Sequence, residues 1–313
     1  MIEDIHSFLD LEKPVNTQKI DLSPFVKTNC ELYLLREDEI HPFVSGNKFR
    51  KLKYNISQAL SEGVDTLLTF GGAYSNHIAA VAAAGKLVGL KTIGVIRGEE
   101  LSEKISENPT LSFAKKEGMK LHFITRDNFK LKETAAFLAA LRQKLGAFYL
   151  IPEGGTNALA VKGCEEILTS QNEVIDYICA PVGTGGTIAG LIEASKANQK
   201  VVGFSALKGT FQTTEVKKYT SKTNFTILDD YCFGGYAKID LKLIRFINRF
   251  KEETGIPLDP IYTGKMMYGI VDLLKNGYFK ENSRIFAIHT GGLQGILGMN
   301  QRLHKKNLPQ IKV

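Results

Sequence analysis

Cysteine is scarce. The four present, Cys30, Cys164, Cys179 and Cys232, show no Cys-x-x-Cys spacing. That argues against a disulfide framework and a zinc site, so a reducing compartment and no bound metal are expected. No apolar run is long enough to cross a bilayer, which leaves no membrane partner to expect. The first residues, Met1-Ile2-Glu3-Asp4-Ile5-His6, are acidic where a signal peptide is basic and then apolar, and the expected location is the cytoplasm. Low-complexity stretches and fixed-period repeats are also missing. Charge imbalance is slight: 40 Lys and Arg against 33 Asp and Glu give +7 over 313 residues. The lysines are scattered, as in Lys115 and Lys116 or Lys305 and Lys306, with no aromatic interleaving. Nucleic acid is therefore not an expected partner, whereas a small anionic substrate suits the charge.

What is present is an α/β pattern. With 43% hydrophobic and 23% charged residues, the chain can bury a sizeable core as one large or two medium domains. Residues 1–30, interrupted by Pro14 and Pro24, read as an arm over a domain surface. Strands are predicted at 31–36, 66–70, 91–96, 120–124, 148–151, 177–180, 201–206 and 284–289. Helices are predicted from about 48, over 76–88, near 108–117 and over 131–145. Alternation of this kind implies parallel sheets covered by helices. The expected division is a small inserted domain at 49–157 and a larger one made of 1–48 and 158–313.

Four glycine-rich turns punctuate the pattern: Gly71-Gly72-Ala73-Tyr74-Ser75-Asn76-His77, Glu153-Gly154-Gly155-Thr156-Asn157, Gly183-Thr184-Gly185-Gly186-Thr187 and His289-Thr290-Gly291-Gly292-Leu293-Gln294-Gly295. In parallel sheets the carboxyl ends of strands face the ligand crevice, so such loops can meet at one cleft. The third follows an apolar strand and opens a small-residue helix. Free backbone N–H groups and the helix dipole make it an anion site, with Thr184 and Thr187 adding hydroxyls. It lacks the Gly-Lys-Ser/Thr of a Walker loop and the third glycine of a dinucleotide fingerprint, which points to a single phosphate. Such turns also serve plain packing, so this loop alone does not decide function.

Gly46-Asn47-Lys48-Phe49-Arg50-Lys51-Leu52, Ser75-Asn76-His77, Gly183-Thr184-Gly185-Gly186-Thr187 and Asp259-Pro260-Ile261-Tyr262-Thr263-Gly264-Lys265 together resemble one family, in order, across residues 30 to 300. It comprises the pyridoxal-phosphate enzymes 1-aminocyclopropane-1-carboxylate deaminase and D-cysteine desulfhydrase. The resemblance implies the tryptophan-synthase-β-like fold (fold type II), with the cofactor between two α/β domains, a small amino acid substrate and a homodimer. By it, Lys48 holds the cofactor aldehyde as a Schiff base and then acts as a base. The bland reading of Lys48 is a solvated surface lysine, and Lys265, also in a glycine turn, is its rival.

The same resemblance gives Gly183, Thr184, Gly185, Gly186 and Thr187 the cofactor phosphate, and Asn76 the phenolic oxygen. Ser75, Asn76 and His77 would hold the substrate carboxylate; the bland alternative is that Asn76 merely caps a helix. Tyr262 would stand beside the substrate as a proton-exchanging phenol, or else be a core tyrosine. Ser75 and Tyr262 are candidate nucleophiles for ring opening. Thr263 would face the pyridine nitrogen where deaminase-type members carry glutamate, and Thr290 resembles another desulfhydrase-type position. The neutral Thr263 favours β-elimination to pyruvate, ammonia and sulfide over cyclopropane opening to 2-oxobutanoate and ammonia. A non-catalytic ligand binder on the same scaffold is the remaining alternative. Tyr74 stands where better-known members have glutamine, which leads to the expectation of an altered substrate pocket.

Overall fold

The computed structural model describes residues 15–168, 174–209 and 211–313. Its strands are β1 Thr17–Ile20, β2 Glu31–Leu35, β3 Thr66–Gly71, β4 Lys91–Arg97, β5 Lys120–Ile124, β6 Tyr149–Ile151, β7 Tyr177–Val182, β8 Lys200–Ser205, β9 Phe225–Leu228 and β10 Arg284–Ile288. They form two sheets, ordered β1-β2-β10-β7-β8-β9 and β5-β4-β3-β6. All pairings are parallel except β1 with β2. β3 and β7 are buried at all six positions, as the near-continuous apolar runs of doubly covered parallel strands require. Along β7, Tyr177 and Cys179 join the core on one face while Ile178, Ala180 and Val182 join that on the other. β3 divides its side chains in the same way, Leu67 to one face and Leu68 and Phe70 to the other. Among the described residues no helix is long and apolar enough to cross a membrane.

Strand order locates the cleft. In the larger sheet the chain runs outward from β7 to β8 and β9, and β10 returns to the other side of β7. In the smaller sheet it runs from β3 to β4 and β5, and β6 returns beside β3. Each sheet thus has a topological switch point, where neighbouring loops diverge and leave a crevice at the carboxyl ends. The four strands at these two points, β3, β6, β7 and β10, are those that end in the four glycine-rich loops.

The helix Asn47–Ser61 starts against the loop after β10. Gly46 enters it with φ +63°, the Asn47 N–H donates to the Thr290 carbonyl, and a Cβ on Gly46 would lie 2.0 Å from that oxygen. Only glycine tolerates both the backbone and the approach. Gly46→Ala is expected to cost about 2–5 kcal/mol in urea unfolding, from ~1–2 for the left-handed backbone and ~1–3 for the clash. Gly63→Ala, at φ +68° with nothing within 4 Å, should cost only the backbone part.

Several sequence expectations change. Residues 15–30 are not a surface arm: they supply the edge strand β1 and bury Leu22, Phe25 and Val26, while residues 1–14 lie outside the described part. β1 and β9 escape notice because each is a four-residue, partly exposed edge strand with little apolar signal. The helix expected over 131–145 begins later, as Ala135–Leu145, where Thr134 Oγ1 accepts the Phe137 N–H, and a separate short helix, Arg126–Lys130, precedes it.

Candidate active site

The four loops meet at a cavity of about 500 Å³ whose walls include Lys48, Ser75, Asn76, His77, Tyr262 and Thr290. Gly183, Thr184, Gly185 and Thr187 line it as well. Gly186, the first residue of the helix Gly186–Ala194, lies behind that wall. No side chain caps this helix, and Gly185 turns into it at φ +90°. A Cβ on Gly186 would stand 2.8 Å from Thr156 Oγ1 and 3.2 Å from Lys51 Nζ, so the cradle depends on a bare backbone there.

Lys51 is the cation of this cradle; the sequence offered it only as a positive charge near Lys48 and not as a phosphate ligand. It is buried and donates to the Gly154 carbonyl at 2.9 Å, Thr156 Oγ1 at 3.0 Å and Thr184 Oγ1 at 3.4 Å. Its spacing of three from Lys48 was the available signal, because that places both on one helix face. Within the basic run from Lys48 to Lys53 it read as a solvated charge.

Lys48 stands at the second position of its helix, which has neither a side-chain cap nor an acidic first turn. Its Nζ donates to Asn47 Oδ1 at 2.8 Å, and Asn47 Nδ2 donates in turn to Thr187 Oγ1 at 2.7 Å. Burial, then the charge of Lys51, push the Lys48 amine down to about 7. The rival, Lys265, is outside the cavity wall: it is buried and donates to the carbonyls of Cys232 at 2.7 Å and Gly235 at 2.9 Å. It thereby braces the loop leading to Tyr236.

The helix Asn76–Leu87 is capped by Ser75, whose Oγ accepts the Ile78 N–H at 3.3 Å; Asn76 is its first residue and not its cap. That frees the Asn76 amide, whose Oδ1 is buried without a partner among the described residues. His77 Nε2 meets Thr69 Oγ1 at 2.9 Å, while Nδ1 is also buried and unpartnered. Burial and the charges of Lys48 and Lys51 hold this imidazole well below its ordinary pKa, hence neutral. Two orphaned polar atoms in the first turn of one cavity-lining helix mark a place where a ligand supplies the missing partners.

Asp259 organises the opposite wall. Its carboxylate accepts the N–H groups of Ile261 at 2.8 Å, Tyr262 at 3.0 Å and Thr263 at 2.7 Å, and the Thr263 hydroxyl at 2.8 Å. Thr263 Oγ1 also accepts the Asp259 N–H at 2.9 Å. Thr263 is fully buried at the start of its helix, and its hydroxyl proton is committed to Asp259. Tyr262 does face the cavity, and its ring is what a Cβ on Gly183 would meet at 3.2 Å. Tyr236, unrecognised in the sequence because its glycine-flanked loop has no periodicity, lies edge-on with ring centroids 6.3 Å apart. Burial, then Tyr236 and Asp259, push the Tyr262 phenol well above its ordinary value, so at neutral pH it holds its proton and serves as a donor. Tyr74 is not part of this cavity's wall: its ring packs on Gly298 of the helix Gly295–His304, and it lines a second cavity.

The family model "Pyridoxal-phosphate dependent enzyme" matches residues 12–291. The chain belongs to this family. Among curated relatives, a putative 1-aminocyclopropane-1-carboxylate deaminase of Pyrococcus abyssi is 33% identical over 87% of this chain and 88% of its own. A mitochondrial bifunctional D-cysteine desulfhydrase/1-aminocyclopropane-1-carboxylate deaminase of Arabidopsis thaliana is 29% identical over 93% and 79%. A crystal structure of an ACC deaminase homologue superposes with TM-score 0.80 at 28% identity, covering 97% of this chain and 99% of that one. The fold is thus type II, and the pyridoxal-phosphate enzyme belongs to the deaminase and desulfhydrase group.

The residues present fit pyridoxal phosphate. An uncapped helix start beside the Lys51 ammonium suits a phosphate, a lysine amine depressed to about 7 suits an aldehyde, and the orphaned Asn76 amide suits a polar ring substituent. Only the unprotonated amine attacks an aldehyde. Cofactor uptake by apoenzyme is therefore expected to speed up with pH and level off above about 7, where Lys48 has lost its proton, instead of climbing toward the 10.5 of a free lysine. Stopped-flow absorbance between pH 5 and 10 reads this directly.

Proposed function

We propose that this enzyme catalyses β-elimination from a small amino acid of the D-cysteine type, consuming water and releasing pyruvate, ammonia and sulfide. The observation that carries the reading is the pairing of a low-pKa Lys48 with the uncapped glycine cradle across one cavity. Bound pyridoxal phosphate supplies an aldehyde that engages an amine and a conjugated ring that takes up the electron pair left at Cα. In this reading Gly183 to Thr187 and Lys51 hold the phosphate, and Asn76 bonds the ring's oxygen. Ser75, the backbone at the start of the Asn76–Leu87 helix and the neutral His77 orient the substrate carboxylate, with Thr290 closing that side. Lys48 Nζ, depressed to about 7 so that a substantial fraction is unprotonated at neutral pH, accepts the Cα proton. Tyr262, which keeps its phenolic proton, donates a hydrogen bond to the departing group.

Thr263 and Asp259 support elimination over ring opening. Four donors occupy the Asp259 carboxylate, so this segment presents no free carboxylate to a cofactor ring nitrogen. Loss of a good leaving group asks less of the ring than breaking a carbon–carbon bond. A second reading, opening of 1-aminocyclopropane-1-carboxylate to 2-oxobutanoate and ammonia, is favoured by the name of the Pyrococcus abyssi relative. There Ser75 is a better nucleophile than Tyr262, whose proton is held tightly. Purified holoenzyme given D-cysteine, L-cysteine and 1-aminocyclopropane-1-carboxylate separates the two: pyruvate with sulfide from D-cysteine is expected, and 2-oxobutanoate from the cyclopropane alone overturns the first reading.

A further inference from the structure

The cavity offers more anion-seeking features than the proposed reaction uses. The Gly186–Ala194 helix start with Lys51 is matched to the cofactor phosphate, and the Asn76–Leu87 helix start to the substrate α-carboxylate. Arg97, the last residue of β4, lines the same cavity and is assigned to neither. Among the described residues no carboxylate forms a salt bridge with its exposed guanidinium, which lies over the ring of Phe129 at 5.6 Å and within electrostatic reach of the Tyr236 phenol. A ring face attracts the cation without neutralising it. Glu153, the carboxylate on this cavity wall, is paired instead with Lys132 at 3.3 Å.

Arg97 also lines a second cavity of about 430 Å³ beside the first. Lys104, Arg302 and Lys305 line it too, against the one carboxylate Glu107, while Arg126 on the same wall is paired with Glu100 at 2.5 Å. The surface beyond Arg97 is therefore cationic, and a cleft with one sign of charge concentrates ligands of the other. A planar guanidinium is the side chain best matched to carboxylate, phosphate or sulfonate, since it makes two parallel charge-assisted bonds.

We infer that Arg97 is an anion subsite of the active cavity, so that besides cysteine the enzyme accepts amino acids carrying a second anionic group on their side chain. This rests on the elimination reading for its chemistry, but the subsite itself does not. With O-phosphoserine as such a substrate, the Cα proton goes to Lys48, the Cβ–O bond breaks with its electron pair leaving on phosphate, and hydrolysis of the three-carbon product gives pyruvate and ammonia. Atoms balance with one water consumed. The matched compound is O-acetylserine, whose side chain is uncharged until the Cβ–O bond breaks.

Two measurements on holoenzyme test the subsite. The first is the ratio of kcat/KM for O-phosphoserine to that for O-acetylserine, both enantiomers of each, in wild type, Arg97→Ala and Arg97→Lys. The ratio is expected to fall about 10- to 100-fold in the alanine variant, the range of a charge-assisted hydrogen bond, and to recover in part with lysine. The second is binding of succinate and glutarate against propanoate by calorimetry, which needs no turnover. The dicarboxylates should bind wild type more tightly than propanoate does and lose that advantage in Arg97→Ala. Loss of dicarboxylate binding with no elimination from any substrate would sink the elimination reading and keep the subsite. Turnover of D-cysteine with a ratio and dicarboxylate affinity indifferent to Arg97 would overturn the subsite and keep the reaction.

Discussion

Lys48→Ala is expected to abolish turnover and the yellow colour of the holoenzyme together. Loss of the proton-transfer role alone costs on the order of 10²- to 10⁴-fold in kcat, and loss of covalent attachment removes the absorbance whatever the substrate. The variant should remain folded, because Lys48 is only half-buried and its recorded hydrogen bond is to the neighbouring Asn47. Far-ultraviolet circular dichroism and urea unfolding check that point. A folded, colourless, inactive Lys48→Ala beside a yellow and active Lys265→Met is the expected pair. Lys265 donates to backbone carbonyls outside the cavity, so its loss should appear as lower stability, with any change in activity arising through the loop that carries Tyr236.

Lys51→Ala is expected to loosen the cofactor by about 10- to 100-fold, the worth of one charge-assisted hydrogen bond to an anion in a dry site. A purely structural Lys51 would predict something else, since its three bonds to Gly154, Thr156 and Thr184 also tie the two sheets' loops together. Pyridoxal without its phosphate distinguishes the two. If Lys51 acts on the phosphate, its removal should weaken pyridoxal phosphate binding and leave pyridoxal binding within about twofold; if it only braces the loops, both should weaken alike. The same variant carries a second consequence. Lys51 helps depress the Lys48 amine, so without it the plateau in the pH profile of cofactor uptake should move upward from about 7.

The parallel α/β architecture and the four glycine loops were legible in the sequence because buried parallel strands are continuous apolar runs and glycine marks where they end. That these loops sit at the two switch points was not legible, since periodicity carries no information on strand order. The residues quoted for the family resemblance included Lys51 and Asp259 but gave neither a binding role. A buried lysine inside a basic run looks like surface charge, and a carboxylate taken up by four local donors looks like turn chemistry. The directions of Tyr74 and Thr263 were not legible, because adjacency to a site residue in the chain does not fix which way a side chain points. Tyr74 lies in the turn before the Ser75 cap and packs against Gly298, whereas Asn76 begins the helix and faces the cavity.

The most direct test of the account is borohydride reduction of the holoenzyme followed by peptide mass mapping, which fixes the cofactor permanently to whichever amine holds it. The account predicts a phosphopyridoxyl group on Lys48 and no other residue. Its appearance on Lys51 or Lys265, or on no lysine at all, would contradict the account at its centre.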